Sequence, residues 1–179
     1  MNTPIKLITL VFITVVTFTS CNEAKKEESH QTKKVETVDI SAETEAVTKV
    51  MKNYKDAIQN LTTEGTKELF TKEATVFESG GSEGTYEQYE SHHLGPELVH
   101  FNSFIFSDYT IDVVIDIPFA FVNETYFYTI DIKEDKEKGI ESRIIKKKGV
   151  ATSDLKKIDG KWMITKTHSS SRNIRKDSQ

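Results

Sequence analysis

The chain has 179 residues and a formal net charge of −4, with 36% hydrophobic and 29% charged residues. This length allows one domain of ordinary size, and the composition is that of a globular protein, which excludes a largely disordered or membrane-spanning chain. The acidic balance argues against a nucleic-acid partner. The one basic run, the three lysines at 146–148, lacks interleaved aromatic residues and is interpreted as a solvent-facing part of a strand.

Residues 1–20 are interpreted as an export signal that is removed. Lys6 precedes an apolar run from 7 to 18, which is too short for a spanning helix because such a helix needs about 20 apolar residues. The sequence Phe18-Thr19-Ser20-Cys21 resembles the bacterial lipobox, in which small residues precede a cysteine that becomes acylated. We therefore expect a bacterial lipoprotein in the cell envelope, held to a periplasmic or cell-surface leaflet by lipid on Cys21. Since this is the only cysteine, no intrachain disulfide is expected.

A charged tether at 21–40 is predicted to connect the lipid to a folded domain at 41–172, which a short tail at 173–179 follows. The tether has mixed charge and almost no large apolar residue, so it cannot bury enough surface to fold. Ser41 is the expected N-cap of a long amphipathic helix whose apolar positions include Val47, Met51, Tyr54 and Ile58. A short second helix is predicted at 63–70 and a first strand at 74–78.

A third helix is predicted to begin after Thr85, which can act as its N-cap. It leads to the adjacent histidines His92 and His93, and Gly95-Pro96 is expected to disturb it.

The chain from residue 101 onward is rich in β-branched and aromatic residues, which favours strands at 104–107, 110–117, 119–132, 140–155 and 161–170. Pro118 indicates a break between two strands, and Asp159-Gly160 is typical of a two-residue hairpin turn. Strict alternation in the last strand would place Trp162, His168 and Ser170 on one face.

This order of elements predicts an α+β fold in which about three N-terminal helices pack on a strongly curved antiparallel sheet. Two segments carry a resemblance to a known family: the third-helix sequence at 86–98, which contains His-Leu-Gly-Pro-Glu-Leu, and the ending Asp159-Gly160-Lys161-Trp162. From about 42 to 172 the chain resembles the SnoaL-like branch of the nuclear-transport-factor-2-like superfamily. The resemblance implies a cone with a pocket at its open end, often in a homodimer. Members include isomerases, dehydratases and noncatalytic binding modules, so the fold alone does not give a function.

The candidate pocket residues are His92, His93, Glu97, Trp162, His168 and Ser170. Glu97 follows His93 by four positions, so the two share a helical face if the helix continues through Gly95-Pro96. With His168 they could form a proton-transfer group or a metal site of two histidines and a carboxylate. The alternative is that the histidines are exposed or bound to backbone, that Glu97 lies on the surface and that Trp162 belongs to the core.

These observations favour a membrane-anchored envelope protein that binds a small polar or amphipathic molecule without catalysis, cofactor or metal. No residue is assigned a catalytic role. Two alternatives stay open: a cofactor-free isomerase or dehydratase with a pocket histidine as general acid or base, and a protein-interaction domain that forms a homodimer.

Overall fold

The computed structural model describes residues 38–174. The predicted signal at 1–20, the lipidated Cys21, nearly all of the tether and most of the tail lie outside these residues. No helix in the described part of the chain is long and apolar enough to cross a membrane.

The first helix, α1 (Ile40–Gln59), begins two residues earlier than the sequence indicated. Asp39 is its N-cap and accepts hydrogen bonds from the backbone N–H groups of Ser41 and Ala42 at 3.0 and 3.1 Å. The prediction of Ser41 as the N-cap was wrong because an aspartate two residues upstream already accepts from these free N–H groups. The buried face of α1 consists of Val47, Met51, Tyr54, Lys55 and Ile58.

The predicted second helix at 63–70 is only a 3₁₀ turn, Lys67–Leu69. Strand β1 (Phe70–Glu78) starts directly after it and forms a hairpin with β2 (Gly81–Thr85), which was not predicted. The sequence of β2, Gly-Ser-Glu-Gly-Thr, contains no large apolar residue, so its pairing with β1 has no hydrophobic signature.

A helix with an irregular centre follows β2. It comprises α2 (Tyr86–Tyr89), a π-helical turn (Glu90–Leu94) and α3 (Gly95–Leu98). The predicted N-cap is confirmed, since Thr85 and Gln88 form a capping box. Gly95-Pro96 does not end the helix, because the wider π turn bonds the Gly95 N–H to the Glu90 carbonyl and accommodates the proline. A Cβ at residue 95 would lie 2.8 Å from that carbonyl oxygen, so the turn requires glycine.

The remaining strands are β3 (Phe101–Asp116), β4 (Phe119–Ile132), β5 (Arg143–Ile158) and β6 (Lys161–Asn173). Together the strands form a six-stranded, curved and unclosed sheet in the order β2-β1-β6-β5-β4-β3. The predicted α+β class is confirmed. All pairings are antiparallel except the one between β1 and β6, which is parallel. The break at Pro118 and the turn at Asp159-Gly160 lie where they were predicted.

A β-bulge in β6 changes which side chains face the helices. Leu155 pairs with Ile164 and Asp154 pairs with Lys166, so Thr165 is an extra residue between them. Trp162 and Ile164 are buried before the bulge, Thr167 is buried after it, and His168 is exposed. The prediction that His168 shares a face with Trp162 is therefore wrong, because strict alternation does not survive an inserted residue.

Candidate functional site

A cavity of about 320 Å³ lies between the helices and the concave face of the sheet. This volume is at the lower end of the range for sites that bind small molecules. Aromatic side chains from α1, α2, β3 and β4 form much of its wall, including Tyr54, Tyr89, Phe104, Phe106, Tyr126 and Tyr128. Such a wall suits a compact ligand with an apolar body.

The hydroxyl groups of Tyr54 and Tyr126 make no hydrogen bond with any described residue. Each tyrosine is only 7% exposed, and both line the cavity. Every fully buried side-chain nitrogen or oxygen in the described residues has a partner, so these two hydroxyls are not fully buried, and we infer that they face the cavity that both tyrosines line. Burial raises the pKa of both phenols above the usual value of 10.0. Both therefore keep their proton at neutral pH and can donate a hydrogen bond to a ligand.

Two other tyrosines of the wall already use their hydroxyls. The Tyr128 hydroxyl donates to Ser171 Oγ at 2.9 Å, and the Tyr89 hydroxyl donates to Glu78 Oε2 at 2.9 Å. The cavity wall thus contains both occupied and available hydroxyl donors, together with the carboxylate of Glu78, which accepts one of these hydrogen bonds.

A buried ion pair joins the cavity to the sheet. Lys55 Nζ lies 3.2 Å from Glu124 Oε2, and these residues are 8% and 1% exposed. The Tyr109 hydroxyl donates to the other oxygen of Glu124 at 2.7 Å. The ammonium group of Lys55 is also surrounded by rings, at 4.9 Å from the centroid of Tyr126, 5.3 Å from that of Phe106 and 5.8 Å from that of Tyr54.

Basic and hydroxyl side chains from β5 and β6 complete the wall. Arg143 and Lys147 line the cavity and form no ion pair among residues 38–174, and Ser169, Ser170 and Ser171 lie beside them. The lysine run at 146–148 is divided by the alternation of the strand: Lys146 and Lys148 are exposed, whereas Lys147 is half-buried against the cavity. The interpretation of this run as solvent-facing is correct for Lys146 and Lys148 only.

His93, in the π turn between α2 and α3, contacts one glutamate of β2 and one of α3 next to the cavity. Its Nδ1 lies 3.0 Å from Glu83 Oε2, and its Nε2 lies 3.3 Å from Glu97 Oε1. Desolvation lowers the pKa of His93, but the hydrogen bond with Glu83 and the nearby carboxylates outweigh it, so this pKa is raised. The two carboxylates lie on opposite nitrogens of the ring and cannot share one metal ion with it. No group of three potential metal ligands occurs in the described part of the chain.

Only two of the six predicted pocket residues line the cavity. Glu97 and Ser170 line the cavity, and His93 contacts Glu97 without being part of the wall. His92 and His168 are exposed. Trp162 is in the core, where its indole Nε1 donates to Glu43 Oε2 at 2.8 Å.

Lys55 and Glu124 were not predicted from the sequence, although the pattern of residues around each indicates a buried charge. Lys55 occupies a position of α1 between the apolar residues Tyr54 and Ile58 and thus lies on the buried face. Glu124 occupies an inward position of β4 between Val122 and Tyr126. A charge at an inward position of an amphipathic element is the pattern that would have identified both.

No protein family and no curated protein matches the sequence. Solved structures do match. A nuclear transport factor 2-like superfamily protein from Salmonella enterica is 16% identical with a TM-score of 0.64, and the match covers 77% of this chain and 96% of that one. A proposed dehydratase from Streptomyces avermitilis is 13% identical with a TM-score of 0.63, over 75% of this chain and 99% of that one. A proposed ketosteroid isomerase from Shewanella frigidimarina is 20% identical with a TM-score of 0.54, over 70% and 94%. The domain therefore has the nuclear-transport-factor-2-like fold that the resemblance implied.

Proposed function

We propose that the domain binds a small amphipathic molecule in the cavity without transforming it. The apolar body of the ligand would lie against the aromatic wall, and an oxygen atom would accept hydrogen bonds from Tyr54 and Tyr126. The observation that carries this proposal is the pair of available hydroxyl donors, on side chains only 7% exposed, in a cavity of about 320 Å³.

Hydrogen bonding favours an acceptor over a purely apolar ligand. An apolar group would displace water from the two hydroxyls and leave them without partners, at a cost of about 1–3 kcal/mol for each buried group. An acceptor oxygen avoids this cost. Arg143 and Lys147 can in turn interact with a polar or acidic group at the other end of the ligand.

Acetophenone and ethylbenzene form a suitable pair of probes, because they have nearly the same shape and only the ketone has an acceptor oxygen. We expect the full-length protein to bind acetophenone about tenfold more tightly, as net hydrogen-bond energies suggest. The double variant Tyr54→Phe/Tyr126→Phe should lose this preference, as measured by titration calorimetry or ligand-observed NMR.

Tyr128→Phe is the matched control, since it also removes a tyrosine hydroxyl, but one that already donates its hydrogen bond to Ser171. It should keep the preference for acetophenone. Equal binding of both probes by the unmodified protein, or no binding of either, would contradict the proposed function.

We also propose that the domain is exported and anchored through acylated Cys21, as an envelope protein. Support comes from Lys6, the apolar run at 7–18 and the small residues before the single cysteine. Cys21→Ser should move the protein from the membrane fraction to the soluble fraction of cells and abolish palmitate labelling. Continued membrane retention with labelling would contradict the anchor.

A cofactor-free isomerase or dehydratase is the second candidate function. The observation that favours it is Glu78, a cavity carboxylate that could accept a proton, with the His93–Glu97 pair nearby. Proteins of similar fold include a proposed dehydratase and a proposed ketosteroid isomerase. Catalysed deuterium exchange into the methyl group of acetophenone in D₂O would favour this candidate if Glu78→Gln or His93→Gln abolished it and His92→Gln, an exposed control, did not.

A further inference from the structure

We propose that Lys55 reacts covalently with aldehydes or ketones in the cavity and forms a protonated imine with them. The inference rests on the proposed function in one respect, namely that small organic molecules enter the cavity. It adds a chemical step that noncovalent binding does not include.

The position of Lys55 is that of a reactive amine and not of a surface cation. It belongs to the cavity wall, is only 8% exposed, and has the rings of Tyr54, Phe106 and Tyr126 around its ammonium group. A lysine amine held at the wall of a cavity can meet a carbonyl group that enters it, and lysine amines form Schiff bases with carbonyl compounds.

Glu124 provides the proton acceptor that such a lysine needs. Its Oε2 lies 3.2 Å from Lys55 Nζ, within reach for direct proton transfer, and the residue is 1% exposed. The Tyr109 hydroxyl donates to Oε1 at 2.7 Å and so holds the carboxylate in this orientation. Tyr109 is thus a positioning residue, while Lys55 and Glu124 carry the reaction.

Stability alone is a poor reason for this pair to be buried. Replacing a buried ion pair with apolar residues of similar volume is often neutral or stabilising, because the loss of hydration offsets the attraction between the charges. Lys55 also lies at the cavity wall, with Glu124 buried directly behind it. A chemical role at the cavity accounts for both its cost and its location.

Imine formation needs only Lys55, Glu124 and the carbonyl compound. Lys55 gives one proton to Glu124, and the neutral amine attacks the carbonyl carbon, so a C–N bond forms and the C–O π bond breaks. A second proton moves from nitrogen to oxygen to give the carbinolamine. Glu124 then returns its proton to the hydroxyl group, which leaves as water while the nitrogen lone pair forms the C=N bond. The iminium keeps the positive charge that the ammonium had, so Glu124 still has a cationic partner. Tyr54 and Tyr126 can donate to the carbonyl oxygen during the attack.

Reductive trapping tests this inference on the unmodified full-length protein. Benzaldehyde and sodium cyanoborohydride convert an imine into a stable benzyl-lysine, which peptide mass mapping locates. We expect Lys55 to be labelled at least about tenfold faster than Lys147, which lines the same cavity without a carboxylate partner, and than the exposed Lys146. Benzyl alcohol, which has no carbonyl group, should slow the labelling of Lys55 by competition and leave Lys146 unaffected.

The outcomes separate the two proposals. Labelling of Lys55 no faster than that of Lys146 would overturn the imine inference. If benzyl alcohol nevertheless binds, measured by calorimetry, the binding function stands alone; if neither probe enters the cavity, both proposals fail. Lys55→Arg keeps a cation for Glu124 and should reduce the total benzyl incorporation to that of the exposed lysines, whereas Lys146→Arg should leave the labelling of Lys55 unchanged.

Discussion

At the scale of single residues, the surroundings of Lys55 depend on a glycine in the adjacent strand. A Cβ at position 149 would overlap the Tyr126 ring, which passes directly over the backbone of β5. Gly149 therefore lets Tyr126 lie flat enough to cover the Lys55 ammonium at 4.9 Å.

We predict that Gly149→Ala destabilises the domain by about 1–3 kcal/mol, because the added methyl group forces the Tyr126 ring out of its position. Urea denaturation measures the change. Gly81→Ala is the control: its nearest neighbouring atom would be 3.5 Å from the new Cβ, and its backbone is not in the left-handed region, so we expect a change below about 1 kcal/mol. Equal effects of the two substitutions would show that Tyr126 can move freely.

At the scale of elements, the helix of α2, the π turn and α3 is fastened to the β1–β2 hairpin through His93, which contacts both Glu83 and Glu97. The usual pKa of histidine is 6.5, and that of His93 is raised in the folded protein. The pKa of Glu97 is raised as well, mainly by desolvation and despite the charge of His93.

Both shifts mean that the folded state binds protons more tightly than the unfolded state does. The His93 contribution to stability is therefore fully present below about pH 6.5 and is lost as the pH rises through the raised pKa. The contribution of Glu97 changes in the same direction at lower pH. It is fully present below the usual pKa of 4.5 and is lost as the pH rises through the raised pKa of Glu97. We predict that the free energy of unfolding falls between pH 6 and pH 8, as measured by urea titration.

His93→Gln should remove most of this fall, whereas His92→Gln should keep it, since His92 is exposed. A pH dependence that is the same in both variants would assign the effect to groups other than His93.

The same helix and the last strand show how far sequence reasoning could go. The N-cap at Thr85, the turn at Asp159-Gly160 and the break at Pro118 were predictable because a few adjacent residues determine each of them. The π turn and the bulge at Thr165 were not. Each depends on pairing with residues of another turn or strand, and one inserted residue reverses the side of every residue after it.

At the scale of the whole molecule, the fold class followed from the order of elements, whereas the site did not. The candidate site was built on histidines because their chemistry is conspicuous, but only Glu97 and Ser170 of the predicted set line the cavity. The cavity wall combines side chains from α1, α2, α3 and β1, with others from β3 to β6. Their convergence depends on sheet curvature, which no local pattern in the sequence encodes.

The homodimer that the resemblance implied stays a prediction. We expect its interface to be the outer face of the sheet. Val114, Phe119 and Phe121 are 53%, 44% and 45% exposed there. Charged residues border this patch, with Asp112 and Asp116 on β3 and Asp154 and Lys156 on β5.

We predict that Phe121→Asp converts a dimer into a monomer at micromolar concentration, as measured by analytical ultracentrifugation, because a charge would be buried at the centre of the patch. Ile144→Asp is the control, since Ile144 is similarly exposed but lies near the other end of the sheet. A monomeric unmodified protein would contradict the prediction.

The rings around Lys55 also restrict the charge of any ligand. Quaternary ammonium compounds are usually recognised by the faces of several aromatic side chains, and in this cavity the protein's own ammonium group already occupies those faces. A cationic ligand at this part of the wall would meet a like charge, and the faces of Tyr54, Phe106 and Tyr126 would not be free to compensate its loss of hydration. We therefore expect the part of the cavity around Lys55 to disfavour cations before any hydrogen bond to a tyrosine is formed.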